Sequence, residues 1–268
     1  MKKLSFILAL SILFIASSCD NDDPILSEVT SVDLNFKANF NGERLLMGKT
    51  YDYNGRSVRF SLFDFYLSDV AMVQNNGSSI EESELIEIDL VDLSFQQTEP
   101  DVAESGRTIS INNVEVGDYA GIKLGIGVTA DLNRTSFVDY PSSHPLNSAA
   151  HYWSGWNSFI FARVEGRFDA DGDGSFEKGF VFHTGTDDTY TFKDISQSLT
   201  LEKENTSTLV FDLDIKELFK ITDPICDEDG DGYIDLHLGN CDGTHTDGEL
   251  ELAKAIMGNF RTAIQMIE

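Results

Sequence analysis

Two stretches of the chain repeat one pattern of oxygen donors. Asp169-Ala170-Asp171-Gly172-Asp173-Gly174-Ser175-Phe176-Glu177 sets carboxylates at alternate positions around glycines. Asp227-Glu228-Asp229-Gly230-Asp231-Gly232-Tyr233-Ile234-Asp235 does the same. Alternation lets Asp side chains converge on one hard cation, and the sixth-position glycine permits a sharp turn and frees a backbone carbonyl. The ligand positions are Asp169, Asp171, Asp173, Ser175 and Glu177 in the first loop. In the second they are Asp227, Asp229, Asp231, Tyr233 and Asp235. Neither is an EF-hand, because the twelfth positions are Phe180 and Leu238 where a bidentate Glu is wanted, and no helix enters either loop. The expectation is weak Ca²⁺ binding of the extracellular kind. Asp-Gly is also a turn signal, so an acidic hairpin turn is the other reading.

A second donor set is richer in nitrogen. His144-Pro145-Leu146-Asn147 leads to His151-Tyr152-Trp153-Ser154-Gly155-Trp156, and after the first acidic loop comes Phe180-Val181-Phe182-His183-Thr184-Gly185. Imidazoles on neighbouring strands bind transition metals, and copper suits them best by the stability order. Their spacing is no local ligand motif. A hairpin must bring the tryptophan strand and the His183 strand together. Buried Trp and His with hydrogen-bond partners are equally at home in a sandwich core.

The elements that must position these groups read mostly as strands. Val32, Leu34, Phe36, Ala38 and Phe40 alternate with polar residues, as a half-buried strand does. Ser57 to Val73 is rich in Phe, Tyr, Leu and Val, and its apolar face switches near Leu62-Phe63, which predicts a bulge or burial on both sides. Further alternating runs centre on Ile88, Leu124 and Phe211. Turn signals such as Asn54-Gly55, Asn75-Asn76-Gly77 and Gly117-Asp118 separate the runs. The expected fold is all-β, an antiparallel β-sandwich. At the end Leu252, Ile256, Phe260, Ile264 and Ile267 recur at helical spacing behind Thr246-Asp247-Gly248-Glu249, which has capping-box form. That helix is expected to pack on the sheet.

The N-terminus supplies an address. Met-Lys-Lys, an apolar run from Leu4 to Ile15 and Ala16-Ser17-Ser18-Cys19 resemble a bacterial lipoprotein signal. The run is too short for a stable membrane span. Residues 1–18 are read as the signal, residues 19–30 as a lipidated linker opening on Asp20-Asn21-Asp22-Asp23, and residues 31–268 as one domain. Cys19 is the lipidation site, which makes the outer membrane the partner and the cell surface the location. The chain carries a formal charge of −27, and removing Lys2 and Lys3 makes it more acidic still. Such a chain is repelled by nucleic acid and attracts cations. Outside the cytoplasm Cys226 and Cys241 are expected to pair, closing a loop whose constraint is worth roughly 3 kcal/mol in the chain-entropy model. Two free thiols at a soft metal are the alternative.

Several short motifs occur in the order of a known family. Phe63-Asp64-Phe65-Tyr66-Leu67-Ser68-Asp69-Val70 is similar to its "FYLSNV" strand. Gly117-Asp118-Tyr119-Ala120-Gly121-Ile122 with Gly125-Ile126-Gly127-Val128 is similar to its "G-x-Y-x-x-I…G-x-G-V" stretch. Pro145-Leu146-Asn147, Tyr152-Trp153-Ser154-Gly155-Trp156 and Glu165-Gly166 resemble its "PLN…MYWSW…EG" block. The family is the MbnP-like copper-binding domain, and the resemblance runs from about Val32 to Leu218, with the final helix a further candidate part. It implies a β-sandwich at the cell surface or in the periplasm. It also implies copper held by histidines beside an oxidised tryptophan, which a partner di-haem peroxidase makes. Carried onto this chain, the preferred ligands are His183 and His151, then His144, with Trp153 the tryptophan at the site. Where family members have Asn-His after the "G-x-G-V" strand, this chain has Leu132-Asn133-Arg134, and arginine does not ligate. The four-cysteine pattern of one subgroup is also missing.

Enzyme readings find little support. Gly125-Ile126-Gly127 lacks the third glycine and helix start of a dinucleotide loop. Ser154 lacks the glycine two residues earlier that a nucleophile elbow needs. No carboxylate pair is marked out for glycosidase chemistry. Two functions remain: a surface lipoprotein that binds copper, and a calcium-stabilised surface module for glycan or protein, in which Trp153, Trp156 and Tyr152 form a stacking platform.

Overall fold

The computed structural model describes residues 28–75, 80–94, 99–244 and 249–267. Cys19, the acidic run behind it, the Asn76-Gly77 turn and Thr246-Asp247-Gly248 of the helix cap lie outside those residues. The chain begins with β1 (Val29–Phe40), β2 (Glu43–Arg44), β3 (Tyr51–Tyr53), β4 (Arg56–Asn75) and β5 (Ile80–Asp92). Then come α1 (Pro100–Ser105), β6 (Arg107–Glu115), β7 (Gly117–Tyr119), β8 (Gly121–Ile126) and α2 (Ala130–Asn133). β9 (Tyr152–Trp153), β10 (Ser158–Phe168), β11 (Lys178–Gly185), β12 (Thr191–Ile195), β13 (Leu199–Leu201) and β14 (Thr206–Asp214) follow. α3 (Ile215–Leu218), β15 (Gly243–Thr244), α4 (Leu250–Ala263) and β16 (Ile264–Met266) complete the described chain.

The fold is an all-β sandwich. One sheet has the order β16-β14-β1, with β6 and β2 on the other edge of β1. The larger sheet has the order β12-β8-β4-β10-β11-β15, with β3 and β5 also paired to β4, and β9 to β10. The alternation in β1 acts as expected: Val32, Leu34, Phe36, Ala38 and Phe40 are all buried. Phe36 stacks on Phe211 of β14 at 5.0 Å and meets Phe65 of the opposite sheet edge-on at 6.1 Å. Each such ring contributes about 1.5–3 kcal/mol by leaving water.

Pairing direction departs from the antiparallel expectation in two places, the short β11–β15 pair and a long one. β1 and β14 run parallel, in register from Ser31 opposite Thr206 to Asn39 opposite Asp214. Alternation reports which face of a strand is buried, not the direction of its neighbour.

β4 organises the larger sheet. Its first half pairs with β10 and its second half with β8 along one edge, while β3 and β5 take the other. The pairing steps from Glu165 opposite Leu62 to Gly166 opposite Phe60, so Ser61 is the extra residue of a bulge, as the face switch predicted. Beyond it Phe63 to Ser68 are buried on both faces. The β3–β4 turn has Asn54 and Gly55 at φ +52° and +81°, which Asn-Gly tolerates best.

α4 packs Phe260 on Phe65 at 5.2 Å and on Phe63 at 6.5 Å, closing the sandwich interior. Its apolar stripe is shorter than its spacing predicted. The helix stops at Ala263, and Ile264 turns into β16 beside β14, leaving Ile267 exposed.

Candidate metal sites

The two acidic loops adopt the same local geometry. In the first, between β10 and β11, Asp169 accepts from the N–H groups of Gly172 (2.7 Å) and Gly174 (2.8 Å), and Glu177 accepts from that of Ala170 (2.8 Å). In the second, between α3 and β15, Asp227 accepts from Gly232 (3.1 Å) and Asp235 from Glu228 (2.7 Å). Positions three and five also accept from residues two further on in both loops. Gly172, Gly174, Gly230 and Gly232 all have φ between +75° and +91°, a region that side chains resist. The result is convergence. Carboxylate oxygens of Asp169, Asp171, Asp173 and Glu177 lie within 4.8 Å of one another, as do those of Asp227, Asp229 and Asp235.

Asp231 stands outside the second group, unlike its counterpart Asp173. Burial, together with the negative charge of Asp229, Asp227 and Asp235, raises its carboxyl above the usual range. Burial and then Asp231 and Asp235 likewise push the Tyr53 phenol far up. In the first loop the N–H of Ser175 holds Asp173 below its usual range. Ser175 meets Asp173 through both its backbone N–H and its side chain, Tyr233 donates its backbone N–H to Asp231, and the Tyr233 ring packs edge-on to Tyr53 at 6.3 Å. Cys226 and Cys241 are joined, so a disulfide closes the ends of the second loop as expected.

Two of the nitrogen donors, His183 on β11 and His151 in the turn before β9, meet charged residues on one face of the larger sheet. Asp64 on β4 sits opposite Arg163 on β10, which sits opposite His183 on β11. Residues directly opposite share a face. Asp64 is 1% exposed and accepts two bonds from the Arg163 guanidinium, one at 3.0 Å. His151 places Nε2 3.3 Å from Asp64 Oδ2 and holds Nδ1 on Ser148 Oγ at 2.8 Å. His183 Nε2 meets Glu165 Oε1 at 2.8 Å. Burial raises the Asp64 carboxyl, but His151 and Arg163 outweigh it and hold the group below the ordinary carboxylate range.

This row does not join His151 and His183. Asp64 and His183 are two strand spacings apart, about 10 Å, with the Arg163 cation between them. Among the described residues no group of three converging metal-ligand side chains includes a histidine. His144 is engaged elsewhere. It stacks on Tyr140 at 4.2 Å, and its Nδ1 accepts from Leu146 N–H at 3.1 Å. Trp153 stacks on Trp156 at 5.3 Å and is 37% exposed, so the indoles overlap instead of lying side by side.

Reasoning from sequence missed Asp64 and Arg163, because a charged pair inside an aromatic strand has no spacing signal. It also missed the work of Asn133. That buried side chain accepts from Ser158 Oγ (3.0 Å) and Phe159 N–H (2.9 Å) and donates to Asp187 (2.8 Å). Next to it Arg134 points to solvent and pairs with Asp131 at 2.6 Å.

No curated protein matches the chain in sequence. Among solved structures, MbnP from Methylosinus trichosporium is similar at 14% identity with a TM-score of 0.49, over 73% of this chain and 79% of that one. The family described as MbnP matches residues 29–235, which takes in both acidic loops and the imidazole row and leaves α4 outside. The chain belongs to the MbnP family.

Proposed function

We propose that this chain is a lipid-tethered, surface-exposed metal-binding protein of the MbnP family. Ca²⁺ is held by the two acidic loops, and copper by imidazole nitrogen, His151 and His183 first. The observation that carries the metal reading is the convergence of carboxylates at matching positions of two separate loops. Oxygen-only donors around positive-φ glycines suit a hard cation. The copper part draws on family membership and on single imidazoles. His151 is held by Ser148 through Nδ1, and its buried Nε2 lies 3.3 Å from Asp64 Oδ2. His183 is oriented by Glu165, as carboxylates orient metal-bound histidines.

Each imidazole suits copper singly, but the two do not form a ready-made pair, because Arg163 stands in the row. The export reading rests on Cys19 and its lipobox. The di-haem peroxidase partner and an oxidised Trp153 follow from the family alone. Metal analysis of the purified protein, with Cu affinity measured for wild type, His151→Ala and His183→Ala, tests the assignment. A loss of affinity in either variant is expected, and unchanged affinity in both removes these ligands.

A second reading is a calcium-stabilised surface module for glycan or protein with no copper site. The Arg163 cation inside the imidazole row and the exposed Trp153 favour it. A glycan-array screen with Trp153→Ala as control distinguishes it, since binding lost in that variant would mark the indole pair as the platform.

A further inference from the structure

A cleft of about 370 Å³ opens beside the second loop, and Tyr53, Arg56, Phe168, Glu228, Asp229 and His237 are among its lining residues. His237 belongs neither to the imidazole row nor to the oxygen donors of the loops. Its Nε2 lies 3.8 Å from Glu228 Oε2, and its Nδ1 lies 3.5 Å from Asp235 Oδ1. That Nδ1 is buried and makes no hydrogen bond. The ring is therefore flanked by a carboxylate on each nitrogen, with open space along the cleft.

We infer that His237 and Glu228 bind a borderline divalent cation of the Zn²⁺ class in this cleft, with Asp235 orienting the imidazole. Two donors about 2.1 Å from a tetrahedral ion stand about 3.4 Å apart. The observed 3.8 Å is within a small rotation of the exposed Glu228 side chain. A carboxylate accepting from the far ring nitrogen fixes tautomer and ring direction in histidine metal sites, and Asp235 would take that part by closing the present 3.5 Å separation from Nδ1. Mixed imidazole and carboxylate donors favour Zn²⁺ and its neighbours over Ca²⁺. The cleft leaves room for the water ligands that two protein donors do not supply. Asp235 also belongs to the carboxylate group of the second loop, so the sites adjoin, but this one does not require the loop to be filled.

The test is calorimetric titration of the full folded chain with Zn²⁺ in saturating Ca²⁺, repeated on His237→Gln, Glu228→Gln and, as control, Glu87→Gln at an exposed position of β5. Wild type and Glu87→Gln should take up Zn²⁺ alike. His237→Gln should bind at least about tenfold more weakly and Glu228→Gln several-fold more weakly. Equal affinity in His237→Gln, or no Zn²⁺ uptake by wild type, overturns the proposal. Ring-nitrogen NMR on the unmutated protein provides a reading free of folding effects. Zn²⁺ should move the His237 Nε2 resonance, and movement of another histidine alone would refute the assignment. Absence of a Ca²⁺ response would end the loop reading and leave this one standing.

Discussion

Calcium removal offers the sharpest test of the loop geometry. In the second loop three carboxylates, of Asp227, Asp229 and Asp235, hold oxygens within 4.8 Å of one another. Even at the dielectric of water each such pair repels by about 0.9 kcal/mol, so the empty loop works against its own fold. A weak extracellular site has a Kd of about 10⁻⁴–10⁻³ M. Calcium at about 10 mM then stabilises the native state by about 1.4–2.7 kcal/mol through binding linkage. For a domain of this size each kcal/mol moves Tm by about 2–4 °C, so the loop should raise Tm by about 3–11 °C. Asp229→Asn is the informative change, because the amide oxygen still accepts from the Asp231 N–H while the charge is removed. The variant should melt no lower than wild type in chelator and respond less to Ca²⁺. Thermal melts with chelator, Ca²⁺ and Mg²⁺ decide the matter. A Ca²⁺ shift no larger than the ionic-strength effect, or an Asp229→Asn response equal to wild type, would refute the reasoning.

Other perturbations follow from the packing. Asp64→Ala strands the Arg163 guanidinium on a buried face and should cost about 3–5 kcal/mol in urea unfolding. Because the folded Asp64 pKa is depressed, its stabilisation is complete above the unfolded value of about 3.9 and is lost as pH falls through the lower folded value. The acid limb of the stability profile should therefore flatten in Asp64→Asn, and an unchanged limb would count against the ion pair. Replacing Cys226 and Cys241 together by serine should lower stability by roughly 3 kcal/mol and weaken the Ca²⁺ response of the second loop. Gly125→Ala would put a Cβ 2.2 Å from the Tyr190 hydroxyl and 2.5 Å from the Ser68 carbonyl oxygen. Expression of that variant as a stable fold would show that β8 can shift away from β4.

What could be read from sequence, and what could not, divides along physical lines. The strand faces were legible because burial on one side forces a two-residue period, as in Val32 to Phe40. The bulge at Ser61 was legible because an inserted residue reverses that period. The loops were legible because alternating carboxylates and positive-φ glycines are local requirements. Strand direction was not, since β1 beside β14 depends on the path of the whole intervening chain. Nor was the end of α4, where Ile264 fits the helical stripe but joins a sheet edge instead. The imidazole row failed for a related reason. Hairpin pairing of β10 and β11 follows from the loop between them, but the Arg163 that separates His151 from His183 became apparent only once three strands were in register.

The length of β1 has a geometric consequence. Its twelve residues, at about 3.3 Å each, span about 40 Å from Val29 to Phe40. Phe40 packs on Tyr53, whose hydroxyl donates to the Ile234 carbonyl within the second acidic loop. The second acidic loop therefore sits at the far end of β1 from Val29, and the strand, paired along both edges, fixes the separation between those two poles of the sandwich.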